Sequence, residues 1–470
     1  MSNVKCQMLI YNSLTSKKET FVKPRGRALN LFVCGPTVYD LSHIGHAKTY
    51  VSFDVIVRYL RARGWKVFYL QNITDVDDKI IARAQKEKKL PQELARHFEK
   101  EYHQDMKVLG VDTVDKYARA TEFISAIQKQ ITTLVEKGFA YKIGSGVYFE
   151  VKKFKNYGRL SRQNLNQLRD GWRIEPDPQK RDPLDFALWK ISDKEPFWPS
   201  LWGSGRPGWH IEDTAITEAF FGPQYDLHGG GLDLKFPHHE SEIAQQEAAS
   251  GKSPFVKIWL HTGFLLVNGE KMSKSVGNVI GIRDILQKTT PAVLRFLITG
   301  GHYRSPLNYS EALLEQAQNS VNNVIRFLSK LDLIKSNPKI SHEVQLRGNP
   351  TKLNFVGSKE DFLNAMDDDF NTPKALASIF SLMGAVEKNI WSLSQKQAVQ
   401  LKKFVKKQFS ILGIEVDSLS APENIKDLVE QREVFRQKKN FAAADQLRRH
   451  AQKLGYEIED TPAGPLISKI

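Results

Sequence analysis

The sequence predicts an α/β fold in which a parallel sheet is broken by an insertion and followed by a helical C-terminal third. Three stretches carry that expectation. First, Leu29–Val33 is a short apolar run, and Gly35 and Pro36 mark a turn. Beyond them Val51, Val55, Ile56, Tyr59 and Leu60 recur at helical spacing. The next apolar run, residues 66–73, has the character of a strand, so strand, helix and strand make one βαβ unit. Second, residues 139–200 depart from that pattern. FAYKIGSGVYFEV reads as a hairpin turning at Gly144 and Gly146, and a polar passage with Pro176, Pro178, Pro183, Pro196 and Pro199 follows. Third, from about residue 291, PAVLRFLITGGHY and SEALLEQAQNSVNNVIRFLSKLDLI space their apolar residues three and four apart.

His43-Ile44-Gly45-His46 lies where the first strand gives way to the helix. In open α/β sheets ligands bind outside the carboxyl ends of the strands. A helix N-terminus there offers N–H groups and a positive dipole end to an anion. His43 and His46 can share one face and donate to phosphate oxygens, and Gly45 permits close approach of a base or ribose. Two solvated loop histidines would leave the same four residues, so the tetrapeptide gains weight only from what lies further along.

At 470 residues the chain has room for about three domains. Its 41% hydrophobic and 26% charged residues describe a soluble globular protein, and no apolar stretch is long enough to span a membrane. The N-terminus lacks the apolar core of a secretory signal. Two cysteines, Cys6 and Cys34, exclude a disulfide framework and fit a reducing cytoplasm. A net charge of +15 favours a polyanionic partner.

Residues 72–84, NITDVDDKIIARA, leave a strand and enter a helix, with Thr74 and Asp75 placed to cap it. Asp75, Asp77 and Asp78 are expected as carboxylates near a helix start rather than as metal ligands. Residues 85–138 show helical patterns with charged faces and no chemistry. The end of the insertion, DPLDFALWKISDKEPFWPSLWGSGRPGWHIE, suits a pocket wall or a packed surface loop equally. In YDLHGGGLDLKFPHHESEIAQQEAA, His228 precedes three glycines that bring backbone close to a neighbour. His238 and Glu242, four apart, could present an imidazole and a carboxylate to one metal ion; a solvated ion pair has the same spacing.

Lys271-Met272-Ser273-Lys274-Ser275 lies between Gly269 and Gly277 and reads as a loop. Two lysines there can close over a nucleoside triphosphate and stabilise charge as pyrophosphate leaves. HIGH and KMSKS together are far more specific than either alone. A polar stretch at 335–359 reads as a linker. Two helices broken at Asn371-Thr372-Pro373 follow. The closing segment is basic through Arg432, Arg436, Lys438, Lys439, Arg448, Arg449 and Lys453, which suits a polynucleotide-binding surface.

From about residue 8 to 465 the chain resembles the bacterial cysteinyl-tRNA synthetases, class I aminoacyl-tRNA synthetases. CGPTVYD, NITDVDDKI, GRPGWHIE, HGGGLDLKFPHHESEIA, EKMSKSVGN, DDDFNTP and KNFAAADQLR carry the resemblance beyond the two class motifs. It implies a Rossmann-like catalytic domain (1–138 and 206–290) split by a connective insertion (139–205). A stem-contact junction (291–345), a helical anticodon-binding bundle (346–415) and a small basic C-terminal domain (416–470) would follow. It implies activation of L-cysteine by ATP with Mg2+, then transfer to tRNA(Cys), by a cytoplasmic monomer. His43, His46, Lys271 and Lys274 match the family's activation residues. ATP would be held by His43, Gly45, His46, Gly230, Asp233 and Lys274, and cysteine by Thr74, Trp209 and His228.

The resemblance also implies one zinc ion that binds the substrate thiolate. Thiolate is a far better zinc ligand than an alcohol, so the metal can separate cysteine from serine where pocket shape cannot. The family's pattern is two cysteines, a histidine and a glutamate. Cys34, His238 and Glu242 match three of these, and Asp213 stands where the second cysteine is expected. The expectation is zinc retained with Asp213 as fourth ligand, a hard donor replacing a soft one at unchanged formal charge. Two other functions compete. A cysteine ligase of thiol biosynthesis would lack the long helical region after KMSKS. A non-catalytic synthetase-like binder of tRNA or nucleotide would have decayed motifs.

Overall fold

In a computed structural model of the chain, residues 7–163, 177–272, 277–336 and 355–469 are described. They divide into two compact units. The first comprises residues 1–288 with the short segments 301–309 and 367–370; the second holds the remainder.

The first unit opens with an antiparallel pair, β1 (Gln7–Asn12) and β2 (Lys17–Val22). Then come β3 (Leu29–Val33), α1 (Ile44–Ala62) and β4 (Val67–Ile73), the βαβ unit expected from the apolar spacing. Val51, Val55, Ile56, Tyr59 and Leu60 are all buried on α1. After α2 (Asp78–Glu87) and α3 (Pro91–Val108) comes β5 (Lys116–Arg119). This strand was not expected: four residues, half of them charged, carry no alternation to detect. It is an edge strand, held by pairing with β4.

Helix α4 (Ile124–Glu136) leads into four antiparallel strands, β6 (Ala140–Ile143), β7 (Gly146–Phe149), β8 (Phe186–Ile191) and β9 (Gly205–Pro207). The expected hairpin is β6–β7, although Gly146 sits in the second strand rather than the turn. Val147, Phe149, Leu188 and Trp189 share one core with Ile127 and Ile131 of α4.

The chain then returns to the parallel sheet through α5 (Ile211–Phe221), β10 (Tyr225–Gly231), α6 (Glu240–Ser250) and β11 (Val256–Thr262). The sheet order is β11-β10-β3-β4-β5, all parallel. Strand order reverses between β3 and β10, and such a switch point is where open α/β sheets open a crevice. At Gly229 a Cβ would lie 2.2 Å from the Phe53 ring, so α1 packs on β10 only because that side chain is missing.

Asp369 fastens the two short segments to this unit. Its backbone has φ 62°, and its carboxylate accepts from Tyr11 N (2.9 Å), Tyr303 OH (2.9 Å) and Arg304 Nε (2.7 Å). Asp369→Ala leaves three donors without their acceptor and should cost about 3 kcal/mol of unfolding free energy. A urea melt with unchanged slope and a lowered midpoint checks it; an unmoved midpoint would contradict it.

The second unit is helical over Pro291–Thr299, Glu311–Ser336, Phe355–Asp367, Thr372–Glu387 and Gln395–Ile411. Asn371 caps Thr372–Glu387 by accepting from Lys374 N at 3.1 Å, with Pro373 in the first turn, as expected. Most of the expected linker lies outside the described residues. The chain ends with helices Glu423–Gln437 and Phe441–Lys453 and a hairpin, Tyr456–Thr461 with Gly464–Lys469. Arg432 is buried and makes two 2.8 Å hydrogen bonds to Asp460, which Arg436 joins at 3.0 Å. These two arginines therefore hold the hairpin to its helix instead of forming an open basic face. No helix of the described residues is long and apolar enough to cross a membrane.

Candidate active site

A cavity of about 320 Å³ opens at the switch point. Its walls are the segment after β3 (Cys34, Gly35), the end of β4 (Asn72, Thr74), the start of α1, and the ends of β10 and β11 (Gly231, Thr262). Gly35 is forced: a Cβ there would fall 1.7 Å from the Asn72 carbonyl oxygen.

His43 and His46 start α1 and cap it reciprocally. His46 N donates to His43 Nδ1 at 3.4 Å and His43 N to His46 Nδ1 at 3.2 Å. The rings stack with centroids 3.8 Å apart. With each Nδ1 accepting, Nε2 is the nitrogen of each ring that carries a proton. Both residues line the cavity with Gly45 and Asp233. On the rim, exposed Lys271 places its ammonium 4.3 Å from the Phe264 ring centre. Lys274 lies outside the described residues.

Four donor groups also converge beside the cavity, three of them on residues that line it: Cys34, Asp213 and His238. The Cys34 thiol, an Asp213 oxygen, a His238 nitrogen and a Glu242 oxygen all lie within 4.8 Å of one another, and all four residues are buried. His238 Nε2 is 3.0 Å from Asp213 Oδ2 and 3.1 Å from Glu242 Oε1. The spacing of His238 and Glu242 is thus a buried pairing, not a solvated ion pair. Asn72 Nδ2 donates to Asp213 Oδ1 at 2.7 Å, and the Thr74 hydroxyl bonds the Glu212 carboxylate. Burial, reinforced by Asp213, pushes the Cys34 thiol and the Glu242 carboxyl well above their usual ranges. Burial also pushes His210, His228 and His239 well down.

Three acidic groups thus meet among histidines, Asn72 and Thr74. Glu242 Oε2 is buried without a hydrogen-bond partner. A bound cation would supply the missing partner and reverse the cost of ionising the thiol. The donor set fits a transition-metal ion.

The other expected residues are placed as follows. Thr74 lines the cavity, while the cap of α2 is Asp77, which accepts from Lys79 N at 2.8 Å. Asp75 instead accepts from Thr121 N and Oγ1. Trp209 is 40% exposed, lines the cavity and stacks on His238 at 4.3 Å. His228 is fully buried behind Cys34, with Nε2 3.3 Å from the sulfur, and does not line the cavity. Gly230 also stands back, and a Cβ there would meet the His239 ring at 2.8 Å.

Sequence reasoning missed His239, His210 and Lys48. The His238-His239 doublet was the only signal for the first. Lys48 lies on the buried face of α1, lines the cavity, and donates to the carbonyls of Gly263 (2.7 Å) and Tyr303 (3.1 Å). Burial lowers its pKa from 10.5 to about 7. Between those values the unfolded chain holds more protons at Lys48 than the folded chain, so this residue makes stability rise with pH across that window. In Lys48→Met that component should vanish. Melting temperature should then climb less between about pH 7 and 10 than in the wild type, and parallel curves would contradict it.

Residues 20–319 match the family model of the class I tRNA synthetase (C) catalytic domain, and residues 361–417 match that of the DALR domain. The cysteine–tRNA ligase of Thermococcus gammatolerans is 44% identical, over 98% of this chain and 99% of its own. That of Methanococcus maripaludis is 45% identical over the same shares. Among solved structures, Mycobacterium tuberculosis methionyl-tRNA synthetase with methionyl-adenylate aligns with 83% of this chain and 90% of its own. Its TM-score is 0.59 and its identity 15%, a likeness of fold. With matches of this length and identity, the chain belongs to the cysteine–tRNA ligase family of class I tRNA synthetases.

Proposed function

We propose that this protein ligates L-cysteine to tRNA(Cys) in two steps. Cysteine's carboxylate attacks the α-phosphate of ATP, giving cysteinyl adenylate and pyrophosphate; the terminal ribose hydroxyl of tRNA(Cys) then takes the acyl group and AMP leaves. The reading rests above all on one juxtaposition: phosphate-directed imidazoles and a thiol-centred donor set face the same cavity. In this reading the imidazoles take the triphosphate and the donor set takes the thiol.

In this reading His43 and His46 donate Nε2–H to phosphate oxygens as charge develops there, at a helix N-terminus that adds its own positive end. Lys271 on the rim and Lys274, three residues on in the sequence, neutralise the leaving pyrophosphate, with Mg2+ accompanying ATP. Gly45 and Asp233 flank the nucleotide, and Gly230 acts only by admitting His239 beneath it. Thr74 and Trp209 border the amino acid, whereas His228 acts through Cys34, which it touches. Zinc is the ion that suits Cys34, Asp213, His238 and Glu242, and when bound it would favour a thiolate over an alcohol. The protein would work as a cytoplasmic monomer.

Cysteine-dependent exchange of pyrophosphate into ATP tests the first step; its absence in folded, zinc-supplied protein would refute the reading. The competing ligase of thiol biosynthesis is disfavoured by the helices after residue 289 and by the DALR match. For the tRNA step, Arg449 is exposed and Arg448 half-buried on the helix Phe441–Lys453. Replacing both with alanine should lower kcat/KM for tRNA about tenfold and spare exchange. Equal loss of both activities would indicate a folding defect instead.

A further inference from the structure

We propose that Gln245 is a positioning residue for cysteine recognition: it fixes the register of α5 on α6, and with it the separation of Trp209 and Asp213 from His238 and Glu242. Gln245 does not line the cavity and acts through its neighbours. The proposal rests on the proposed function, which has cysteine taken by the donor set beside Trp209.

Helix α6 is polar in sequence yet buried throughout. Every residue from Glu240 to Ala249 is buried, and six of the ten are polar, so each needs a partner. Glu240 accepts from Leu160 N and Ser161 N, and Ser241 shares a hydrogen bond with Tyr157 OH. Glu247 accepts from Arg159 and from Phe255 N, and Glu242 belongs to the donor set. Gln245 and Gln246 remain, and they bond across to α5 and α4.

Their amides belong to one hydrogen-bonded chain whose direction is fixed at both ends. His210 O can only accept, so Gln245 must turn Nε2 towards it. The same Nε2 donates to Thr214 Oγ1 at 2.7 Å, and the Thr214 hydroxyl donates to Gln130 Oε1 at 2.7 Å. Gln130 Nε2 donates to the Glu218 carboxylate at 2.8 Å and to Gln246 Oε1. That direction leaves two buried atoms, Gln245 Oε1 and Gln246 Nε2, without a hydrogen-bond partner. An apolar seam would avoid this penalty. It would also let the helices slide, whereas a hydrogen bond weakens steeply with misalignment and so holds one register.

Gln245 reaches the donor set by two routes. Through α5 it holds His210 and Thr214, which flank Asp213, at a helix start that no side chain caps. Through the His210 ring it backs His238: the two Nδ1 atoms are 2.7 Å apart, while His238 Nε2 is 3.0 Å from Asp213. Trp209, stacked on His238, is the residue before His210. Losing the brace therefore displaces Trp209, Asp213 and His238 against Glu242. His43, Gly45 and His46, at the start of α1, have no part in it.

Gln245→Met, which keeps the length of the side chain and removes the amide, is the test. In cysteine-dependent pyrophosphate exchange, KM for cysteine should rise about tenfold and KM for ATP should stay within about twofold. The affinity of the full-length, chelator-stripped chain for cobalt(II) should fall about tenfold, with a melting temperature within a few degrees of wild type. Thr214→Val, which removes only a hydroxyl, should shift KM for cysteine and cobalt affinity the same way by less. Ile131→Val, in the apolar core around the seam, should lower the melting temperature and leave both unchanged. Folded Gln245→Met with wild-type KM for cysteine and wild-type cobalt affinity would overturn the proposal, as would equal rises in both KM values. If Gln245→Met does not fold, Thr214→Val decides, and no shift in either quantity overturns it. A wild type without cysteine-dependent exchange would refute the proposed function instead, and the cobalt affinities alone would then decide whether Gln245 sets the donor positions.

Discussion

Replacing Cys34 by serine should remove bound metal and reduce the preference for cysteine over serine by about two orders of magnitude. The sulfur is the only soft donor among Cys34, Asp213, His238 and Glu242, so the nearby imidazoles of His228 and His239 do not restore it. The hydroxyl is smaller, and nothing in the packing of Phe32 or Leu70 beside it need change. The loss should therefore appear in chemistry before stability. Elemental analysis after gel filtration, with exchange rates for cysteine and serine, checks both halves. Wild-type metal content together with wild-type discrimination would show that the thiol is a packed core residue and no ligand.

His46→Ala should slow cysteine-dependent exchange about 10²–10³-fold while leaving cysteine affinity within a few-fold. The ring has two tasks. Its Nδ1 accepts from His43 N at the helix start, and the ring lines the cavity, where the proposed function has Nε2–H donate to phosphate. Losing the first costs stability of about 1 kcal/mol, typical of a cap; losing the second removes a donor from the charge-developing centre. A melting temperature within a few degrees of wild type, beside a large drop in rate, distinguishes them. An unchanged rate would mean that the imidazole serves only the cap.

Much of this was legible in the sequence because local patterns did the specifying. Leu29–Val33, the α1 periodicity and residues 66–73 announce a parallel unit, since strands buried on both faces are apolar throughout. The strand β5 was not legible: its place comes from pairing with β4, and Lys116–Arg119 alone holds no such information. The same holds for side chains. Cys34, His238 and Glu242 stood out through the family pattern, and the structure brings them together with Asp213. His239 and His210 looked like neighbours of a motif. Only burial shows that one faces the sulfur and the other meets His238 Nδ1 at 2.7 Å. Arg432 failed in the opposite direction. In a basic stretch it resembles a solvated charge, yet the hairpin returning from residue 456 brings Asp460 against it.

The measurement that bears most directly on the central claim is acylation of tRNA(Cys) by the purified, zinc-loaded chain with ATP and labelled cysteine, run beside labelled serine. Cysteine should load most of the tRNA and serine should load almost none if, as proposed, the donor set at Cys34 selects a thiolate. A folded, metal-loaded protein that charges no cysteine, or that charges serine equally well, would contradict the assignment of this cavity.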